Sequence, residues 1–113
     1  MVDTEKLTET LESQRLKFAH EKVAKSFSSW NKIMQYHFTD TDEYYYIRFT
    51  DGTAEPVVKG KHEKPDIQYE MSTETFFAIA GKEITGMKAY QQKKVKLKAS
   101  MPDMMKLQKV DRL

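Results

Sequence analysis

Between residues 33 and 71 the apolar side chains recur at every second position, and that period dictates most of what the chain can become. Met34, Tyr36 and Phe38 alternate with Gln35 and His37. Tyr45, Ile47 and Phe49 alternate with Tyr44, Tyr46 and Arg48, and Ile67, Tyr69 and Met71 with Asp66, Gln68 and Glu70. Successive side chains of a strand point to opposite faces, so each run has one apolar and one wet face. Asp51-Gly52 is a two-residue hairpin signal joining Phe49-Thr50 to Thr53-Ala54. Residues 39–42 make a second turn, and residues 61–65 separate a third strand, over 54–59, from the run ending at Met71. Pro56 removes a ladder donor from that third strand, which places it at an edge. By itself the pattern describes an antiparallel meander packed on one side.

The flanks carry a helical period. Residues 4–30 lack Gly and Pro and alternate Glu with Lys. On a helical wheel Leu16, Ala19, Val23, Phe27 and Trp30 share one arc, with Leu7, Leu11 and Phe18 nearly opposite. Either the segment bends near Ser13-Gln14 into two helices that each bury one face, or the Leu7/Leu11/Phe18 stripe meets a second copy or a lipid surface. Past Met71, Ser72 or Thr73 can cap a short helix bearing Phe76, Phe77, Ile79 and Ala80, which Gly81 ends at C′. Ile84, Met87 and Tyr90 make a further helical turn or two, weakened by Gly86. Val95, Leu97 and Ala99 then alternate with Lys94, Lys96 and Lys98 as a strand, and Met101, Met104, Met105 and Leu107 band a last helix. Ser100 is its N-cap, or Pro102 its first residue. All helices must cover the one apolar face of the sheet, which is an α+β two-layer sandwich.

At 113 residues, 39% apolar and 32% charged, the chain makes a single domain over 1–113 with one core. The longest apolar run, residues 76–80, is about a quarter of a membrane span. The opening Met1-Val2-Asp3-Thr4-Glu5 is too acidic for a signal peptide, so a soluble, cytoplasmic protein is expected. Absence of Cys excludes disulfides, thiolate zinc sites and cysteine nucleophiles. The net charge of +2 does not argue for nucleic acid. Tyr44, Tyr46, Arg48, Lys94, Lys96 and Lys98 combine aromatics with cations on the wet face, but Glu43, Asp66 and Glu70 dilute the field. No nucleic-acid partner is expected. His20, His37 and His62 lack metal-ligand spacing and read as solvated. The glycines form no phosphate loop, Asp40, Asp42 and Glu43 belong to a turn, and Glu70 has lysines to pair with across the sheet. The expectation is a protein that is not an enzyme and holds neither metal nor cofactor.

Seven methionines are more than a chain of this length needs. Met87, Met101, Met104 and Met105 fall in the layer that also carries Phe76, Phe77, Ile79, Ile84 and Tyr90 from the helical segments and Tyr36, Phe49 and Tyr69 from the strands. Flexible thioethers re-pack around variable apolar shapes, which suits a pocket for a greasy ligand, and they also serve as ordinary core filler. Composition leaves both readings open.

Residues 65–110 resemble the sterol carrier protein type 2 family. The resemblance is carried by Asp66-Ile67-Gln68-Tyr69-Glu70-Met71-Ser72-Thr73-Glu74-Thr75-Phe76-Phe77, then Ile79-Ala80-Gly81-Lys82, Ala89-Tyr90, Val95-Lys96-Leu97-Lys98, Met101 and Met104-Met105-Lys106-Leu107, in the family's order and spacing. It implies a mixed, mostly antiparallel five-stranded sheet with helices on one face. It further implies an apolar tunnel between the layers for fatty acid, fatty acyl-CoA, sterol or phospholipid, bound without chemistry. The lining carried over is Phe76, Ile79, Met87, Tyr90, Met101, Met104 and Met105, with the last helix as lid and Lys82, Lys93 or Lys106 available to an anionic head group. The expected partner is thus a lipid, with transient membrane-surface contact, in a monomer or homodimer. The alternative is an interaction or dimerisation module of the same fold with a filled core. Lys93 and Ala99 stand where the family has glycine, which costs about 1 kcal/mol wherever φ is positive. The end Asp111-Arg112-Leu113 departs from the Ser-Lys-Leu peroxisomal type.

Overall fold

The computed structural model describes residues 4–111; the opening tripeptide and Arg112-Leu113, on which the leader and targeting expectations rest, lie outside the described residues. Helix α1 spans Thr4–Leu16 and ends in a 3-10 turn, Lys17–Ala19. After His20, with extended backbone, the chain resumes as α2, Glu21–Ala24, and a second 3-10 turn, Lys25–Phe27. The bend that the two apolar arcs demanded therefore lies at His20, about six residues later than Ser13-Gln14. Its effect is that Leu7, Leu11, Phe18, Val23, Phe27 and Trp30 all enter one core, while Leu16 is left 58% exposed. Leu7 and Leu11 are fully buried within the chain, so the stripe they form does not meet a second copy or a lipid surface.

The strands are β1 (Ile33–Phe38), β2 (Glu43–Thr50), β3 (Thr53–Ala54), β4 (Val58–Lys59), β5 (Ile67–Met71) and β6 (Lys96–Lys98), in the order β3-β2-β1-β5-β6 with β4 also on β2. The meander is correct only as far as β4. Strand β5 crosses to the far side of β1 and pairs with it in parallel, Tyr36 opposite Tyr69, and β6 closes that edge antiparallel. Alternation fixes which face a strand buries but says nothing of its neighbour, so both pairings satisfied the pattern. The expected third strand is an edge, broken by Pro56 into β3 and β4. Helix α1 supplies partners at the break: Glu12 accepts from the Val57 amide (2.6 Å) and Arg15 donates to the Ala54 carbonyl (3.0 Å). At the hairpin, Asp51 and Gly52 both have positive φ, and a Cβ on Gly52 would lie 2.4 Å from the Phe27 carbonyl oxygen.

The rest of the helical layer is α3 (Thr73–Ala80), α4 (Gly86–Gln91) and α5 (Met101–Asp111). Ser72 caps α3 by accepting from the Thr75 amide, and Ser100 caps α5 through the Asp103 amide, which decides both open choices in favour of serine. Gly81 is the C-cap with ordinary negative φ; the left-handed residue is the next one, Lys82. Beneath the N-terminal segment, Phe18, Phe27, Trp30 and Phe49 meet edge to face at 4.5–5.3 Å.

The other face of the sheet is not bare. Residues 60–65 fold over it, with the His62 amide donating to the buried Gln35 and the His62 ring against Tyr46. His37, expected to be solvated, is half-buried. It stacks on Tyr44 (4.2 Å, 5°), meets Asp42 at 2.8 Å and has Glu70 3.7 Å away, and Glu70 also accepts a hydrogen bond from Gln68. The aromatics of this face are thus occupied by neighbours in the same chain, and Lys94 lies outside β6.

Candidate functional site

Strand alternation points Met34, Tyr36, Tyr69, Met71 and Leu97 at the helical layer, and the helices do not close on all of them. A cavity of about 650 Å³ remains between the sheet and α3, α4 and α5. Phe76 and Ile79 border it from α3, Met87 and Tyr90 from α4, and Met101, Met104, Leu107 and Val110 from α5. Six of the seven residues singled out in the sequence therefore meet around one space. The seventh, Met105, does not border it and is 63% exposed. Met104 and Met105 are consecutive on a helix, about 100° apart, and here it is Met104 that turns toward the cavity.

Each wall has a local cause. Phe76 is 3% exposed and is held edge-on by Tyr36 (5.6 Å) and Phe38 (5.3 Å), so α3 sits firmly on the sheet. Helix α4 docks through Ala89, which is fully buried, leaving Tyr90 beside it at the cavity edge and 44% exposed. Helix α5 is fixed at both ends and borders the cavity between them. At its start, Asp103 is 4% exposed and pairs with Lys32 of the segment before β1 (2.6 Å). At its end, Asp111 accepts from the amides of Gly86 (2.6 Å) and Met87 (3.0 Å), capping α4. Gly86, which looked like a weakness in a helix, is what lets that carboxylate approach: a Cβ there would lie 2.8 Å from its oxygen.

The polar members of the wall are Gln14, Lys17, Lys82, Thr85, Gln108 and Asp111. Of the three lysines expected near the mouth only Lys82 borders the cavity; Lys93 and Lys106 do not, and Lys106 lies over the Trp30 ring. Lys17 does border it and was not foreseen, because its place depends on where the first helix breaks. Burial lowers the affinity of its amine for a proton, as does the charge of Lys82, while Asp111 works the other way. Burial also pushes the phenols of Tyr36 and Tyr69 upward, so both remain protonated at neutral pH.

The sequence profile of the SCP-2 sterol transfer family matches residues 9–112. The chain belongs to that family. Solved structures share the SCP-2 fold at low identity. Palmitated SCP2L2 from Aedes aegypti is 20% identical over 92% of each chain, with a TM-score of 0.71. Sterol carrier protein domain 2 of Helicoverpa armigera is 22% identical over 89% of this chain and 84% of that one, with a TM-score of 0.68. A stereoselective inverting sec-alkylsulfatase from Pseudomonas sp. matches 73% of this chain at 20% identity and a TM-score of 0.58, and the match spans only 12% of the enzyme's length. No curated protein sequence matches the chain. Lys93 and Ala99, the two departures from the family's glycines, have different fates. Lys93 adopts φ +63° and closes α4 by donating to Tyr90, whereas Ala99 has no positive φ.

Proposed function

We propose that this SCP-2 domain binds and transfers a lipid non-catalytically, holding it in the cavity between sheet and helices as in a tunnel. The observation that carries this reading is the 650 Å³ space itself, within the usual range for ligand sites and walled mainly by Met, Phe, Ile, Leu, Val and Tyr. A chain or ring system there is shielded from water at about 25 cal/mol per Å² of apolar surface. Helix α5, two-ended in its attachment, is the lid whose displacement admits the ligand. Lys17 and Lys82 at the margin suit the head group of a fatty acid, acyl-CoA or phospholipid. The palmitated state of the Aedes aegypti relative agrees with an acyl chain as one occupant.

Among the described residues the only carboxylate bordering the cavity is Asp111, and both its oxygens are engaged by α4 amides. The filled-core alternative is disfavoured by the cavity and by the complete burial of Leu7 and Leu11. Native mass spectrometry of the purified protein, before and after addition of palmitic acid, tests the proposal. A one-to-one adduct is expected, and a single unliganded mass under both conditions, repeated with a sterol and a phospholipid, contradicts it. We also propose a cytoplasmic location with only transient membrane contact. Among the described residues no helix is long and apolar enough to cross a membrane.

A further inference from the structure

Tyr45, Tyr36 and Tyr69 lie on one rung of the sheet, paired across β2, β1 and β5. The hydroxyl of Tyr45 is sealed in the protein without a hydrogen-bond partner. The hydroxyls of Tyr36 and Tyr69 differ. Neither is sealed in this way, neither has a hydrogen-bond partner among the described residues, and both residues border the cavity. Their rings stack at 5.1 Å and 22°, so the two phenols project side by side from adjacent strands, with Phe76 edge-on to Tyr36. Tyr36 is only 9% exposed. A pair of parallel O–H donors in an apolar space, unpaired by the protein, is costly unless something else accepts from them.

We propose that Tyr36 and Tyr69 together hold a neutral oxygen acceptor, a carbonyl or a hydroxyl, on the buried part of the ligand, so that the cavity distinguishes oxygenated lipids from plain hydrocarbon. This rests on the lipid-binding reading and narrows it. The acceptor is neutral because the charge of the Asp111 carboxylate reaches Tyr69 and would repel a second anion. The cations that suit an anion, Lys17 and Lys82, belong to helical and loop segments at the cavity margin, not to the sheet. The ligand so described has its charged end, where it has one, at the helical margin and an oxygen function against the sheet.

The test compares the wild-type chain with Tyr36→Phe/Tyr69→Phe, using displacement of N-phenyl-1-naphthylamine by three competitors matched in length: tridecane, 7-tridecanone and 7-tridecanol. The double variant should bind the ketone, the alcohol or both about fivefold to tenfold more weakly, while tridecane changes by less than about twofold, as expected for two hydrogen bonds of ordinary net strength. The oxygenated competitor with the larger loss identifies the acceptor. Melting temperature should be unchanged or higher in the variant, because each hydroxyl removed has no protein partner. Equal changes for all three competitors, or none, overturn the role of the tyrosines while leaving lipid binding in place. A fall in melting temperature with loss of tridecane binding assigns the hydroxyls to the fold and overturns it also. Failure of the wild-type chain to take up the probe or any competitor overturns the lipid reading itself.

Discussion

The carboxylate of Asp111, the last described residue of α5, receives the amides of Gly86 and Met87 at 2.6 and 3.0 Å and so caps the start of α4. One residue thereby ties together two of the helices that wall the cavity. Asp111→Ala should cost about 1–2 kcal/mol, since it removes two charge-assisted hydrogen bonds at a helix N-terminus. Gly86→Ala should cost a comparable amount by forcing the carboxylate away, although alanine is the better helix former. Urea denaturation of both variants measures this, and a stabilised Gly86→Ala would refute the close approach.

Lys93 and Lys82 end α4 and α3 in left-handed backbone, φ +63° and +61°. A non-glycine residue there carries about 1–2 kcal/mol of strain, of which the flexibility of glycine in the unfolded chain cancels part. Lys93→Gly and Lys82→Gly should each stabilise the fold by about 0.5–1 kcal/mol, seen as a higher urea midpoint at constant slope. Ala99→Gly, at a residue without positive φ, should destabilise instead.

These two lysines also mark how far the sequence could be read. The glycine-to-lysine departure at residue 93 identified a strained site, because a helix end leaves a local signature. At residue 82 the same strain went unseen, since Gly81 offered a plausible stop one residue early. Strand faces were legible for the same local reason: Tyr36, Tyr45 and Tyr69 alternate with polar neighbours whichever strands they pair with. The parallel pairing of β5 with β1 was not legible by alternation, being a choice among tertiary neighbours, and it entered only through the family resemblance as a mixed sheet. The cavity was half legible. The resemblance carried over Met87, Met101, Met104 and Met105 alike, and of these Met105 does not border the cavity. Lys17 reaches the wall only because the first helix breaks at His20.

Lys32 and Asp103 join the segment before β1 to the start of the lid helix at 2.6 Å, with the Asp103 side chain 6% exposed and that of Lys32 31%. Removing the cation strands a buried carboxylate. Lys32→Met should cost about 1–3 kcal/mol, whereas Lys32→Met/Asp103→Leu should recover much of the loss, because the strong penalty lies in the unpaired charge. Additive losses in the double variant would show that the two side chains are not coupled and would contradict this account.

Asp40, in the turn after β1, holds the first residue of α3 by accepting from the Thr73 amide (3.0 Å) and hydroxyl (2.5 Å). Burial works against the charged form, but these bonds outweigh it and keep the carboxyl below its ordinary value of 3.8. A carboxylate with a lowered pKa stabilises the fold above that ordinary value, and the contribution disappears as pH falls through the lowered one. Stability should therefore decline below about pH 4, and Asp40→Asn should flatten that decline in thermal melts between pH 5 and pH 2.5. An unchanged acid profile would remove Asp40 from the account.

Met104 and Met105 provide the most direct test that the cavity is the binding site. They are adjacent in sequence and alike in chemistry, yet Met104 borders the cavity and Met105 is 63% exposed. Uptake of a fluorescent fatty acid is measured for Met104→Trp and Met105→Trp, with circular dichroism to show that both fold. Filling the space with indole should weaken binding at least about tenfold in Met104→Trp and leave Met105→Trp within about twofold of the wild-type chain. Equal uptake by the two folded variants would place the lipid elsewhere and contradict the account.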